Sequence, residues 1–183
     1  MKIVVGITGA SGAIYAKRLL DFLSTSGQNV EITLSKNGRQ IFSDETGSDV
    51  ASFGYKIYEP NDFSAPFASG SAKYDALVIV PASMGTLGRI ASGASNDLIS
   101  RVADVFIKER RTFIVVPRET PYSSIHLENL LKLSQCGVRI MPASPSFYSK
   151  PQNITALVDT VTARILDHLN IEHDLKLRYG RDC

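Results

Sequence analysis

The sequence predicts an α/β domain in which helices cover both faces of a parallel sheet. Short apolar runs rich in β-branched residues alternate with longer segments whose apolar residues repeat at helical spacing. Three of these runs are followed by a proline, and the first leads into a glycine-rich turn. Uninterrupted apolar runs are typical of strands buried on both faces, and right-handed crossovers then place helices on both sides of the sheet.

Two strand–helix units begin the chain. Residues 2–7 are a β-branched run that predicts a strand, and residues 13–25 follow with helical spacing and Gly27 as a C-terminal cap. Residues 30–35 predict the second strand, and residues 37–46 predict the second helix. The short turn between each strand and its helix is typical of a parallel sheet.

Residues 50–73 depart from this alternation. Gly, Ser, Asn and Pro interrupt every hydrophobic period there, and we predict an excursion with one short strand at residues 56–58. A long irregular segment inside a compact domain is either functional or a surface connection packed by its own aromatic side chains. The sequence leaves both interpretations open.

The second half of the chain returns to alternating strands and helices. Strands are predicted at the three apolar runs that precede prolines, residues 76–80, 112–116 and 138–141. Helices are predicted from the spacing of apolar residues at 84–92, 96–111, 123–135 and 153–169. We expect the charged segment 170–183 to be extended and to contact a neighbouring subunit.

Composition excludes several classes of protein. A chain of 183 residues suits one domain, and 20 Lys and Arg against 18 Asp and Glu create no general field for nucleic acid. Cys136 and Cys183 are too far apart for a disulfide framework or a zinc site, so no metal is expected. No apolar run reaches the roughly 18 residues of a membrane helix, and no signal-peptide pattern is present. We therefore expect a cytoplasmic location.

The turn GITGASG at residues 6–12 carries the first functional signal. Its glycines allow close approach of a ligand, and the following helix offers N–H groups to an anion, although a plain strand-to-helix turn has the same composition. The dinucleotide fingerprint requires glycines where Thr8 and Ser11 stand, and the second strand ends in Ser35 rather than in an acid. A mononucleotide such as FMN therefore fits better than a dinucleotide.

A cationic segment carries the second signal. Residues 101–118 hold five basic and two acidic residues, a pattern that indicates either a solvated helix face or a phosphate site. Arg118 and Glu119 follow a buried strand, at the edge where parallel sheets bind ligands. Glu119 is suited to proton exchange, and Arg164 on the last helix is an ion-pair partner or a second anion ligand.

Six motifs resemble, in the same order, those of the UbiX-like flavin prenyltransferases. They are TGASG at 8–12, ASGS at 68–71, ADVxxKERR at 103–111, VPRETP at 116–121, IHLEN at 125–129 and FYxxP at 147–151. The resemblance implies a three-layer Rossmann- or flavodoxin-like domain that binds FMN and forms a homododecamer. It also implies metal-independent transfer of a dimethylallyl group from dimethylallyl phosphate to N5 and C6 of reduced FMN. The prenylated FMN would serve a UbiD-type decarboxylase, often in ubiquinone biosynthesis.

The resemblance also assigns roles to individual residues. Flavin contacts are implied for Gly9, Ala10, Ser11, Ser35, Ser83, Met84, Gly85, Thr86 and Arg118, with Gly9–Ser11 as the phosphate loop. Proton tuning near the flavin is implied for Ser11 and Glu45, and an acid near the leaving phosphate for Glu119. Binding of the donor phosphate is implied for Arg101, Lys108, Tyr148 and Arg164, with Lys108 and Tyr148 also catalytic.

One departure and two alternatives accompany the resemblance. The family has an Arg-Trp pair near the C-terminus where this chain has Arg178 and Tyr179, so slower cation formation or altered prenyl specificity is expected.

One alternative is a non-catalytic FMN carrier for an aryl-acid decarboxylase. The other is a flavin-dependent decarboxylase of cysteine-type substrates, which needs a catalytic cysteine, whereas Cys136 is expected to be a small core residue.

Overall fold

Six parallel strands form one sheet in the computed structural model, which describes residues 1–175. The strands are β1 (Lys2–Ile7), β2 (Asn29–Leu34), β3 (Lys56–Tyr58), β4 (Ala76–Ala82), β5 (Thr112–Pro117) and β6 (Arg139–Ile140). They lie in the order β3-β2-β1-β4-β5-β6, with every pair parallel. The order reverses beside β1, which makes the carboxyl end of β1 the switch point where sheets of this kind bind ligands.

Helices cover both faces of this sheet, as the sequence predicts. They are α1 (Ala13–Thr25), α2 (Lys36–Thr46), α3 (Met84–Ser92), α4 (Leu98–Lys108), α5 (Ser124–Gln135) and α6 (Ile154–His168). One core lies beneath α3, α4 and α5 and includes Val4 and Leu77. The other lies beneath α1, α2 and α6 and includes the alternate strand residues Ile3 and Val78. The three-layer Rossmann-like prediction is confirmed.

Capping residues explain most differences between the predicted and observed helix ends. The helix predicted at 96–111 begins at Leu98, because Asp97 is its N-cap and accepts a hydrogen bond from the Ser100 backbone N–H at 2.7 Å. It ends at Lys108, and Arg110 takes a left-handed conformation with φ 53°. Helical spacing alone does not separate such flanking residues from the helix.

Pro81 does not end β4, contrary to the expectation that prolines close these strands. The strand continues through Pro81 to Ala82, and its pairing with β5 shifts register between Ile79 and Ala82. Proline has no backbone N–H for the ladder, so an irregularity at this point lets the strand continue. Residues 82 and 83 therefore reach the ligand edge directly.

The excursion at 50–73 is packed by its own aromatic side chains. It contains the predicted β3 between two short 3₁₀ turns, Val50–Phe53 and Pro66–Ala68. The buried ring of Phe67 makes edge contacts with Tyr58 and Tyr74, with centroids 4.9 Å and 5.6 Å apart. This packing brings the return path of the excursion against α4.

Two further expectations concern the end of the chain and Cys136. The core prediction for Cys136 is wrong, because this residue caps the C-terminus of α5 and is exposed. Residues 170–175 follow α6, while Arg178, Tyr179 and Cys183 lie outside the described residues. Among residues 1–175, no helix is both long enough and apolar enough to span a membrane.

Candidate active site

The N-termini of α1, α2 and α3 converge at the carboxyl end of β1. These helices follow β1, β2 and β4, which are neighbours in the sheet. A Cβ at Gly9 would lie 2.7 Å from the Cβ of Asn37, so the turn after β1 touches the first turn of α2. Helix N-termini carry unpaired N–H groups and partial positive charge, so this edge favours a bound anion.

Thr8 links the turn after β1 to the turn after β4 by hydrogen bonds. Its hydroxyl donates to the carbonyl oxygen of Pro81 at 2.8 Å and accepts from the backbone N–H of Ser83 at 2.7 Å. The side chain is 1% exposed, so both hydrogen bonds are shielded from water. Sequence reasoning passed over Thr8, although its position in the TGASG motif was a usable signal.

Glu45, a residue of α2, caps the N-terminus of α1. Its Oε2 accepts hydrogen bonds from the backbone N–H groups of Gly12 and Ala13, both at 2.8 Å. Burial raises the pKa of the Glu45 carboxyl, but hydrogen bonds from Ser11, Ala13 and Gly12 and the charge of Arg118 outweigh burial and lower the pKa. The N–H groups that the sequence offered to a ligand phosphate at α1 are thus held by a carboxylate of the same chain.

Replacement of Glu45 by Gln is expected to lower the free energy of unfolding by about 1 kcal/mol at pH 7, because a charged helix cap is lost. The effect stays small because the side chain is exposed to solvent. Since folding lowers this pKa, the stabilisation is present above the ordinary carboxyl pKa and disappears as the pH falls through the folded-state value. Urea unfolding of both proteins between pH 7 and pH 3 measures this difference.

Asp44→Asn is the control, because Asp44 is the adjacent carboxylate on α2 and, within residues 1–175, accepts hydrogen bonds only from Gln40. Its effect on the free energy of unfolding should be below about 0.5 kcal/mol at every pH. A constant difference between wild type and Glu45→Gln from pH 7 to pH 3 would contradict the assigned charge interaction.

The N-termini of α2 and α3 are capped by serines. Ser35 Oγ accepts from the Gly38 N–H at 3.0 Å, and Ser83 Oγ accepts from the Thr86 N–H at 3.3 Å. The first N–H groups of each helix have no partner within the helix and point to the carboxyl edge of the sheet. A cavity of about 580 Å³ opens beside Ser35, a volume within the usual range for small-molecule sites.

Arg118 and Glu119 complete this edge. Arg118 Nε donates to the carbonyl oxygen of Ser11 at 3.0 Å, which joins the loop after β5 to the loop after β1. Glu119 is partly exposed, and its Oε1 accepts from the Thr120 N–H at 3.0 Å. A carboxyl group that is held by its own backbone and still reaches solvent is suited to exchange protons with a ligand.

The predicted phosphate-binding cations lie on opposite faces of the sheet. Arg101 and Lys108 project from α4, where Arg101 Nε donates to the Ala68 carbonyl at 3.1 Å and Lys108 pairs with Glu109. Arg164 projects from α6 on the other face and pairs with Asp167 at 2.7 Å. Helices α4 and α6 therefore carry these cations on different sides of one copy of the chain.

The other predicted site residues divide between the carboxyl edge and one loop. Half-exposed Tyr148 lies between β6 and α6, far along the chain from α4. At the carboxyl edge stand Gly9, Ala10, Ser11, Ser35, Glu45, Ser83, Met84, Gly85, Thr86, Arg118 and Glu119. Of these, Ala10, Met84 and Thr86 are buried, so the two apolar ones offer backbone groups rather than side-chain chemistry.

Comparison with known proteins places the chain in a family. The family model described as Flavoprotein matches residues 1–166. The flavin prenyltransferase UbiX of Methanocaldococcus jannaschii is 48% identical over 183 residues, which cover 98% of this chain and 99% of that relative. The chain belongs to the UbiX flavin prenyltransferase family. The family resemblance drawn from the six motifs is confirmed.

Two solved structures of this UbiX family superpose on nearly the whole chain. A dodecameric FMN-dependent UbiX-like decarboxylase from Escherichia coli O157:H7 is 38% identical, with a TM-score of 0.95 over 98% of this chain and 100% of its own. AnUbiX (PadA1), in complex with FMN and dimethylallyl pyrophosphate, is 37% identical, with a TM-score of 0.95 over 98% of this chain and 97% of its own.

Proposed function

We propose that this protein is a flavin prenyltransferase that moves a dimethylallyl group from dimethylallyl phosphate to N5 and then C6 of reduced FMN. The observation that carries the proposal is the convergence of three helix N-termini with Arg118 and Glu119 at one sheet edge. The relative from M. jannaschii bears this activity in its name, and AnUbiX holds FMN together with dimethylallyl pyrophosphate.

The residues at the carboxyl edge fit FMN. Because Glu45 holds the N–H groups of α1, we assign the flavin phosphate to the starts of α2 and α3, at Ser35, Ser83 and Thr86. Gly9 lets the turn after β1 pack directly against the start of α2, because a Cβ there would lie 2.7 Å from the Cβ of Asn37. Bound reduced FMN supplies the nucleophilic atoms that accept the prenyl group.

The remaining chemistry belongs to side chains that handle the departing phosphate. Cleavage of an allylic phosphate leaves negative charge, which cations stabilise most strongly in a water-poor site. To Glu119 we assign delivery of a proton to the leaving phosphate, which Arg101, Lys108, Tyr148 and Arg164 would hold. Since Arg101 and Arg164 lie on opposite faces of one chain, the site draws them from different copies.

This geometry favours a homo-oligomer, and we propose a homododecamer like that of the E. coli relative. Three exposed apolar side chains on α5, Ile125, Leu127 and Leu131, offer surface for such contacts. The product, prenylated FMN, would pass to a UbiD-type decarboxylase in the cytoplasm. Tyr179, which stands where the family has Trp, lies outside the described residues. Its expected effect on cation formation and prenyl specificity stays a prediction.

Anaerobic incubation with reduced FMN and dimethylallyl phosphate is expected to yield a flavin heavier by one prenyl unit. Mass spectrometry of the released flavin measures the product, and a parallel reaction with dimethylallyl pyrophosphate determines which donor is used. Omission of the donor is the control. Bound but unmodified FMN in both reactions would contradict the proposal and favour the FMN carrier.

The alternative of a cysteine-type decarboxylase has little structural support. Such an enzyme needs a cysteine at the flavin, yet Cys136 follows α5 and precedes β6, at the opposite edge of the sheet from the β1 carboxyl end. Among residues 1–175 it is the one cysteine that the chain contains. The catalytic groups at the carboxyl edge are instead hydroxyls, carboxylates and Arg118.

A further inference from the structure

Arg89 lies one turn beyond the start of α3 and reaches back toward it. Its Nη2 donates to Thr86 Oγ1 at 3.1 Å and to Asp97 Oδ2 at 3.2 Å, and its Nη1 donates to the Gly85 carbonyl at 3.3 Å. Asp97 is itself held, because its other carboxylate oxygen caps α4 through Ser100. The guanidinium is therefore fixed between the start of α3 and the start of α4.

The hydrogen bonds at Thr86 determine whether its hydroxyl is left to donate or to accept a further hydrogen bond. The Thr86 oxygen accepts from Ser83 Oγ at 3.0 Å and from Arg89 Nη2 at 3.1 Å. A hydroxyl oxygen has two lone pairs, so both acceptor positions are filled and the hydroxyl hydrogen remains to be donated. Thr86 is 2% exposed, so an acceptor for that hydrogen must come from the site rather than from bulk water.

We propose that Arg89 is a positioning residue that holds the Thr86 hydroxyl as a hydrogen-bond donor to the flavin phosphate. This inference rests on the proposed function, which supplies FMN as the anion at α3. The hydroxyl and the free N–H groups of the first turn of α3 then point at the same anion. Without Arg89, the Thr86 hydroxyl could rotate and donate elsewhere, and its contribution to phosphate binding would be lost.

Arg89 acts through Thr86 rather than by direct contact with the phosphate. Both hydrogens of Nη2 are engaged, by Thr86 and by Asp97, and Nη1 is turned toward the Gly85 carbonyl. Its Nε is buried and has no hydrogen-bond partner within the described part of the chain. Asp97 neutralises much of the Arg89 charge. The guanidinium therefore orients the Thr86 hydroxyl more than it attracts the phosphate over a distance.

Comparison of FMN with riboflavin tests the inference, because the two differ only in the phosphate. Arg89→Met is expected to raise the Kd for FMN about tenfold, the loss expected for one hydrogen bond to a charged group. The Kd for riboflavin should change by less than about twofold. Quenching of flavin fluorescence measures both constants, and Arg139→Met on exposed β6 is a matched control that should leave both unchanged.

A double-mutant cycle tests whether Arg89 acts through Thr86. Thr86→Val should raise the FMN Kd by a similar factor, and Thr86→Val combined with Arg89→Met should cost no more than Thr86→Val alone. Additive losses would show that Arg89 contacts the phosphate itself and would overturn the positioning role. Equal losses for FMN and riboflavin would also overturn it, since a general structural effect does not distinguish the two ligands.

Two conservative variants keep the test decisive if Arg89→Met folds poorly. Arg89→Lys keeps one donor for Thr86 and should recover part of the FMN affinity, while Asp97→Asn should cause a smaller, phosphate-selective loss. An Asp97→Asn or Arg89→Lys variant that loses riboflavin affinity equally would overturn the inference. Wild-type protein with no affinity for FMN would contradict the proposed function, whereas wild-type binding with no Arg89 effect contradicts only the positioning role.

Discussion

Glu119→Gln is expected to slow prenyl transfer by about 10² to 10³-fold, which lies within the usual contribution of a positioned acid or base. FMN affinity should stay within about twofold of wild type, because we propose that Glu119 acts on the leaving phosphate and that the flavin phosphate lies at α3. Gln keeps the size of the side chain and its acceptor for the Thr120 N–H, so the local backbone is preserved. Single-turnover formation of the prenylated flavin, followed under anaerobic conditions, measures the rate.

Glu172→Gln is the control for this substitution. Glu172 lies beside Met1, at the amino edge of the sheet, and is exposed to solvent. The Glu172→Gln substitution should leave both the rate of prenyl transfer and the FMN affinity unchanged. If the Glu119→Gln protein keeps the wild-type rate, Glu119 has no part in the reaction. If it loses affinity for FMN, Glu119 contacts the flavin instead.

Gly38→Ala is expected to lower the free energy of unfolding by about 2–3 kcal/mol. A Cβ at Gly38 would overlap the carbonyl oxygen of Ile7 and lie 2.9 Å from its carbonyl carbon, and neither backbone atom can turn aside. The first turn of α2 would have to move away from β1. FMN affinity should fall as well, because Ser35 caps this same turn and would move with it. Urea unfolding at fixed protein concentration measures the stability.

Gly88→Ala is the matched control, since Gly88 is also helical and has no positive φ. In the described part of the chain, a Cβ there would meet only the side-chain amide of Asn129 at 3.4 Å, which is ordinary contact. Because alanine favours a helix over glycine, this variant should be neutral or up to about 1 kcal/mol more stable. Equal destabilisation of the two variants would show that the close approach at Ile7 is not the cause.

The sequence predicted the α/β class and every strand because these features depend on local patterns. Apolar runs and helical spacing are read over a few residues, and the short β3 was found inside an otherwise irregular segment. Helix ends were less well predicted, since Asp97, Ser123 and Asn153 were predicted as helical but serve as N-caps. The continuation of β4 through Pro81 was missed because it depends on pairing with β5.

The candidate site was predicted unevenly for the same physical reason. Motifs identified the loops at the carboxyl edge, because parallel strands bring their carboxyl ends together whatever the rest of the chain does. They did not reveal that Glu45, 33 residues from Gly12, takes the N–H groups of α1. Nor did they identify the role of Thr8, whose partner Pro81 is 73 residues away, or that of Arg89, which joins the start of α3 to the cap of α4.

By itself the sequence determined the fold class, the ligand edge and the family, because periodicity and short motifs are properties of neighbouring residues. Only the tertiary structure decided which helix N-terminus remains open to an anion and which cations share a face. It separated Arg101 from Arg164 and brought Glu45 to the N–H groups of Gly12 and Ala13. These outcomes depend on distances across the folded chain, which no local pattern encodes.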